Sequence, residues 1–357
     1  MGDHHAGSPS VGQWRRSQRG LEGPSEASAA LLGSLLAPTR RVALVGLAKN
    51  TGKTETLGAI IAAHARAGRC VGVTSIGRDG EERDVLDARI AKPPIRLRAG
   101  SIVASTGPLL RASALAHERL AQTGIRTPLG EVVIARLVED GAVEVAGPSA
   151  AADVRAVSDA MAQLVAEQVL IDGAVDRRAA SAPEVSDALV MATGAVLAAD
   201  VEQVAAATAR AVELVRLPQA GEDGEAPVAV ARPLALRAEP AEVAALLREH
   251  PSAGAFAMPG ALDERFLEGL LSARRERAGR ELRIVAADPT KVFLARRGPG
   301  WYSRQGISIE VLRTIELKAL TVNPVAPQSH RLDSAALCAA IAAAVGDVPV
   351  LDVRDAA

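Results

Sequence analysis

Hydrophobic and polar positions along the chain follow two rhythms. Short unbroken apolar runs, RVALVG at residues 41–46, VGVTSI at 71–76, VLI at 169–171 and LVMAT at 189–193, each stop at a turn or a polar residue. They have the length and composition of strands covered on both faces. Between them, apolar positions over 53–67, 151–167 and 201–215 recur at the helical period, and Gly68 supplies a stop for the first of these helices. Strand, loop, helix and strand within residues 41–76 make a βαβ unit. A shorter helix is predicted over 25–36. Residues 1–24, dense in Gly, Ser, Pro, Arg and His without period, read as a disordered lead-in.

The grammar changes at 92–147. Ile95 to Leu97 and Ile102 to Ala104 read as short strands, and EVVIARLVEDGAVEVAG at 131–147 reads as two β-branched runs around an Asp140-Gly141 hairpin turn. This predicts a small β-rich insertion, placed to act as a lid or a partner surface. The acidic, turn-rich segment QAGEDGEAPV at 218–227 predicts a domain boundary. Beyond it come helices at 240–249 and 263–274 and strands at 254–258, 282–286, 292–295 and 315–322. The expected organisation is an α/β domain over 25–217, followed by a smaller α/β domain over 228–357.

Composition narrows the classes. The 357 residues carry 41 Lys+Arg against 42 Asp+Glu, so no surplus of cations favours nucleic acid or an anionic membrane. With 2% aromatic residues, base-stacking platforms are nearly excluded too. Cys70 and Cys338 are isolated and the six His are scattered without ligand spacing, so neither a disulfide framework nor a structural zinc is expected. No apolar run reaches the ~18 residues of a membrane span, and the first thirty residues lack a secretory apolar core. A cytoplasmic location is the expectation.

The sharpest chemical signal is GLAKNTGKT at 46–54. A phosphate-binding loop needs an anchoring strand, glycines that turn backbone amides toward phosphate, a Lys to bridge phosphoryl oxygens and a hydroxyl for magnesium. Strand 41–45, Gly46 and Gly52, Lys53 and Thr54 supply them, with Asn50 and Thr51 inside the loop. The first domain is therefore expected to be a P-loop NTPase domain with a mainly parallel sheet, binding ATP and Mg2+. Five residues rather than four separate Gly46 from Gly52, a G-x5-G-K-T spacing that resembles the loop of dethiobiotin synthetase and its relatives. A signature Lys of related ATPases has its nearest counterpart in Lys49, one position late, and no role is assigned to it.

A P-loop protein also needs an acidic residue at the end of a neighbouring strand. Asp172, closing Val169-Leu170-Ile171, has that form; its alternative is a plain turn cap before Gly173. Asp176 and Arg177 follow closely enough to face the same phosphates. After the second strand, Arg78 can reach a phosphate or a substrate carboxylate and Asp79 can position water or magnesium, unless both belong to a charged turn. The candidate set is thus Lys53, Asp172 and Asp79 for chemistry, Gly46, Asn50, Thr51, Gly52, Lys53, Thr54 and Arg78 for nucleotide, and Thr54 and Asp172 for the metal. In the second domain, Asp288-Pro289-Thr290-Lys291 and Thr321-Val322-Asn323-Pro324 follow strands, as cleft-lining residues or as caps and turns. His64 and His117 fall in segments that read as helical, as surface or packing residues.

GLAKNTGKT, TSIGRDGEERD, TPLGEVVIARLVEDGAVEVAGP, VLIDGAVDRRAASAP and ALTVNPVAP, in this order, resemble the reactivase subunit associated with lysine 5,6-aminomutase, an adenosylcobalamin-dependent enzyme of amino-acid fermentation. The resemblance covers residues 41–353. It implies an ATP-dependent factor that works with a companion ATPase subunit, as a homo- or hetero-oligomer, to exchange damaged cobalamin on the aminomutase. Of the residues above, it carries Gly52, Lys53, Thr54 and Asp172 into a nucleotide role. The competing reading is a dethiobiotin-synthetase-like ligase, in which ATP activates a small carboxylate or amine and Arg78 or Arg177 clamps a substrate acid. A nucleotide sensor or metallochaperone has less support, since no His or Cys cluster exists to carry a metal.

Overall fold

The computed structural model describes residues 25–77, 94–173, 178–221, 227–274, 281–327 and 329–354. Helix α1 (Glu26–Leu36), capped by the Ser25 hydroxyl, leads into β1 (Arg41–Gly46), α2 (Lys53–Arg66) and β2 (Val71–Ser75). Then follow β3 (Ile95–Leu97), β4 (Ile102–Thr106), α3 (Gly107–Ala112), β5 (His117–Thr127), β6 (Gly130–Leu137) and β7 (Gly141–Val143). Helix α4 (Ala151–Leu164), β8 (Gln168–Asp172), β9 (Ala188–Gly194) and α5 (Val201–Val215) continue the chain. The expected lead-in at 1–24 lies outside the described residues.

A nine-stranded sheet in the order β17-β16-β9-β1-β8-β2-β4-β6-β5 forms the body of the molecule, its last two members in sequence being β16 (Glu316–Asn323) and β17 (Val350–Asp352). Every pairing from β17 to β4 is parallel; β6 and β5 add an antiparallel hairpin at one edge. Strand β1 explains why the sheet has helices on both sides. Val42 and Leu44 point into one core with Leu32 of α1 and Leu57 of α2, while Ala43 and Val45 point into another with Val157 of α4 and Val204 of α5. A parallel sheet so apolar on both faces has to be covered twice.

A second, smaller unit follows α5. Strands β10 (Val228–Ala229), β11 (Ala255–Ala257), β13 (Leu282–Ala286) and β15 (Ile307–Val311) form a four-stranded parallel sheet with its own core around Phe256, Phe266 and Tyr302. Helices α6 (Arg232–Arg237), α7 (Pro240–Glu249), α8 (Glu264–Arg274) and α9 (Pro299–Arg304) cover it, and β12 (Leu262–Asp263) pairs with β14 (Val292–Phe293) at its margin. The connection that enters this unit bonds to the last residue of β15: Ala220 N donates to Val311 O at 2.8 Å and Val311 N to Pro218 O at 2.9 Å.

The structure corrects four expectations. The segment 92–147 is no separate insertion, because β4 joins β2 in parallel and the β5–β6 hairpin extends the main sheet, leaving β3 and β7 as a small ribbon of their own. The hairpin turn is Pro128-Leu129, not Asp140-Gly141; the Asp140 carboxylate instead accepts from Ala99 N and Arg98, which hold its pKa below the usual range. His117 opens a strand rather than lying in a helix. The expected domain at 228–357 is divided, since β16 and β17 return to the first sheet, with α10 (Ser334–Val345) between them packed against α5. Leu320 and Val322 are buried in the same core as Val45, which the second unit cannot provide.

His64 of α2 is buried, with Nδ1 beside the Ile60 carbonyl at 3.0 Å and Nε2 without a hydrogen-bond partner. Burial, the largest cause, holds its pKa below the ordinary imidazole value of 6.5. The unfolded chain then takes up a proton that the folded chain resists, so stability falls as pH drops below 6.5 toward the folded value. Urea denaturation at about pH 7.5 and about pH 5.5 is expected to show a larger loss for wild type than for His64→Gln; equal losses would refute this assignment.

Candidate functional site

Strand β1 sits between β8 and β9, and the chain leaves it toward β2 on one side and later crosses to β9 on the other. In a parallel sheet such a reversal opens a crevice at the carboxyl ends of the strands, where the loop after β1 lies. Its start is fixed by Leu47 N, which donates to Ala192 O of β9 at 2.9 Å. The buried Thr51 folds its hydroxyl back onto the Ala48 carbonyl at 3.0 Å. A Cβ on Gly46 would stand 2.5 Å from that hydroxyl oxygen, so this tight return needs glycine.

Asn50 and Gly52 hold the left-handed backbone, at φ 65° and 86°, and deliver the chain into α2 without a side-chain cap. The Gly52 carbonyl is already inside the helix, accepting from Thr56 N at 2.9 Å and from its hydroxyl at 3.1 Å. The amides of the first turn have no partner within the helix, and the helix dipole adds positive potential where they point. Asn50 and Thr54 are both exposed at this end.

Lys53 folds back across the strand ends. Its Nζ lies 2.6 Å from Asp172 Oδ1 and also donates to the Gly173 carbonyl. Leu44 is the register partner of Asp172 across β1 and β8, and Gly173 N donates to Leu44 O at 2.9 Å, so the carboxylate is set by the sheet itself. Asp172 is 3% exposed, and the Lys53 side chain 17%. Desolvation at that depth strengthens the attraction and makes either partner costly to leave alone.

The structure thus brings Gly46, Asn50, Thr51, Gly52, Lys53, Thr54 and Asp172 to one strand edge. Arg78 and Asp79 lie outside the described residues, as do Asp176 and Arg177. The end of β2 that leads to Arg78 is nevertheless placed: Ile76 N donates to Asp172 O at 3.2 Å and Gly77 N to Pro148 O at 2.9 Å. Lys49 is exposed.

Of the two polar strand ends noted in the expected second domain, one belongs to this site. Asn323 closes β16, and its Nδ2 donates to Asn50 O at 2.8 Å while its Oδ1 accepts from Val325 N at 3.1 Å. Below it, Thr321 and Thr56 share a buried hydroxyl contact of 2.7 Å. TVNP was therefore legible as a polar strand end, but its sheet was not. The other, Asp288, lies beyond β13 of the second sheet and caps the short turn at Pro289–Lys291 by accepting from Thr290 N at 2.9 Å. The sequence reading also passed over Arg354, which pairs with Glu55 in the first turn of α2.

Asn323 holds the loop from a strand two positions away in the sheet. Asn323→Ala is expected to cost about 1–3 kcal/mol, the range for removing a partner from a largely buried polar group. Urea denaturation measures this, and a change below about 0.5 kcal/mol would show that the contact to Asn50 does not hold the loop. Comparison of the chain with protein-family models, with curated proteins and with solved structures found no match.

Proposed function

We propose that the chain is a cytoplasmic nucleotide-driven subunit of a reactivating factor, which binds ATP with Mg2+ on the loop after β1. The observation that carries the nucleotide reading is the uncapped start of α2, approached through left-handed Asn50 and Gly52, with Lys53 drawn against the buried Asp172. Open amides, a cation and a carboxylate then converge where a polyphosphate and its metal need them. Lys53 would hold phosphoryl oxygens, and Thr54 and Asp172 would hold the metal, directly or through water. Bound magnesium would offset the charge of the phosphates.

The client is inferred from the sequence resemblance: an adenosylcobalamin-dependent aminomutase of the lysine 5,6-aminomutase type, served with a companion ATPase subunit. A radical enzyme holds its cofactor tightly, so a damaged cobalamin leaves slowly. A factor that binds an open mutase state in preference to the closed one raises the open population, and nucleotide sets when that preference applies. In this scheme the nucleotide does no chemistry on the cofactor. The G-x5-G-K-T spacing favours a second reading, a dethiobiotin-synthetase-like ligase, which turns over ATP with a small carboxylate or amine and no protein partner.

ATP binding is expected to be magnesium-dependent and to weaken at least about tenfold in Lys53→Ala, through loss of a charge-assisted contact. Calorimetric titration of the full chain tests it; unchanged affinity would remove the nucleotide reading. Inactivated aminomutase incubated with the chain, its companion ATPase, fresh cofactor and ATP is expected to regain turnover, and not with Lys53→Ala. Normal ATP binding without reactivation would overturn the client assignment and move the ligase reading forward.

A further inference from the structure

The open end of α2 carries an anion of its own. Glu55 stands in the first turn of the helix, two residues after Lys53. A carboxylate there is drawn by the same positive end of the helix dipole that attracts a phosphate, and at full charge it opposes an incoming anion. Among the described residues, Glu55 has its ion pair with Arg354, whose Nη2 donates to Glu55 Oε1.

Arg354 is placed by the sheet rather than by α2. It follows β17, and its backbone N–H donates to Asp352 Oδ1 at 2.8 Å, while Asp352 Oδ2 accepts from the Ser334 hydroxyl at the start of α10 at 2.6 Å. The Ser28 hydroxyl of α1 donates to Asp352 O at 2.9 Å, and Ser25 N donates to Val353 O at 2.7 Å. Val353 is buried in the core that also holds Leu57 of α2. The backbone that carries Arg354 is thus fastened to α1, to α10 and to the core beneath the helix it reaches.

The first turn of α2 therefore sends its two charged side chains to opposite sides of β1 in the strand order. Lys53 meets Asp172 at the end of β8, and Glu55 meets Arg354 beyond the end of β17. The second pair is the more exposed of the two, with about a third of each side chain open to water. Screening there limits its effect on a nearby anion to several-fold.

We propose that Arg354 is a positioning residue for the anion bound at α2. By neutralising Glu55 and holding its carboxylate toward β17, it leaves the positive end of the helix to a polyphosphate. The inference rests on the reading of this loop as a nucleotide site. A plain clasp for the end of β17 makes the opposite prediction, because it fails whichever partner is removed. An electrostatic role is lost when Arg354 goes and becomes unnecessary when Glu55 goes with it.

The test is calorimetric titration of the full chain at low ionic strength with magnesium ATP and, separately, with magnesium pyrophosphate. Arg354→Gln is expected to weaken binding at least about threefold, and less so as salt is raised. Glu55→Gln alone is expected not to weaken it, and the double variant is expected to return to within about twofold of wild type, as is Arg354→Lys, which keeps the charge. Unchanged affinity in Arg354→Gln, or a double variant as weak as Arg354→Gln, would overturn the proposal. If wild type binds pyrophosphate but not ATP, the nucleotide reading fails and the pyrophosphate series still decides the role of Arg354. Binding of neither removes both.

Discussion

Burial of β1 on every side is the constraint from which the rest of the architecture follows. Its two faces meet two different cores and its two edges meet β8 and β9, so the strand leaves no free backbone and no free side chain until Gly46. The chain then emerges at the carboxyl edge in the centre of the sheet, flanked by the ends of β8 and β9. Asp172 arrives from one neighbour, the Ala192 carbonyl from the other, and Asn323 from the strand beyond. Each of these contacts is a consequence of strand order rather than of the loop's own sequence.

Within that frame the Lys53–Asp172 pair sets the electrostatics. Most of the charge is removed from water, which makes the pair strong and also intolerant of losing one member. The Gly173 carbonyl accepts a second hydrogen bond from the lysine, so the ammonium is anchored by the Asp172 carboxylate and the adjacent Gly173 carbonyl. Such anchoring fixes where the positive charge sits relative to the open end of α2.

Much of this was legible in the sequence, and the failures have physical causes. Strands β1, β2, β8 and β9 are continuous apolar runs because both faces are covered, and helices α5 and α7 are bounded by an Asp200 cap and by Pro240. The loop could be read because its residues are neighbours in the chain. Strand β5 could not, since none of its side chains is buried and its charged residues interrupt the apolar pattern. Asp140-Gly141 has hairpin composition, but its carboxylate is engaged by the Arg98-Ala99 turn. The sheet that β16 joins is likewise invisible locally, because ALTV would be equally apolar in either core. Asn323 was noted as a polar residue at a strand end, yet its contact with Asn50 spans 273 residues and depends on that pairing.

The return of β16 and β17 makes the second unit an interruption of the first sheet rather than an appendage to it. Its entry segment bonds through Pro218 and Ala220 to Val311 at the end of β15, and the exit residues Leu312 and Arg313 donate to Ala286 and Ala287. A single backbone cut within the smaller unit would therefore leave each fragment still attached to the large sheet.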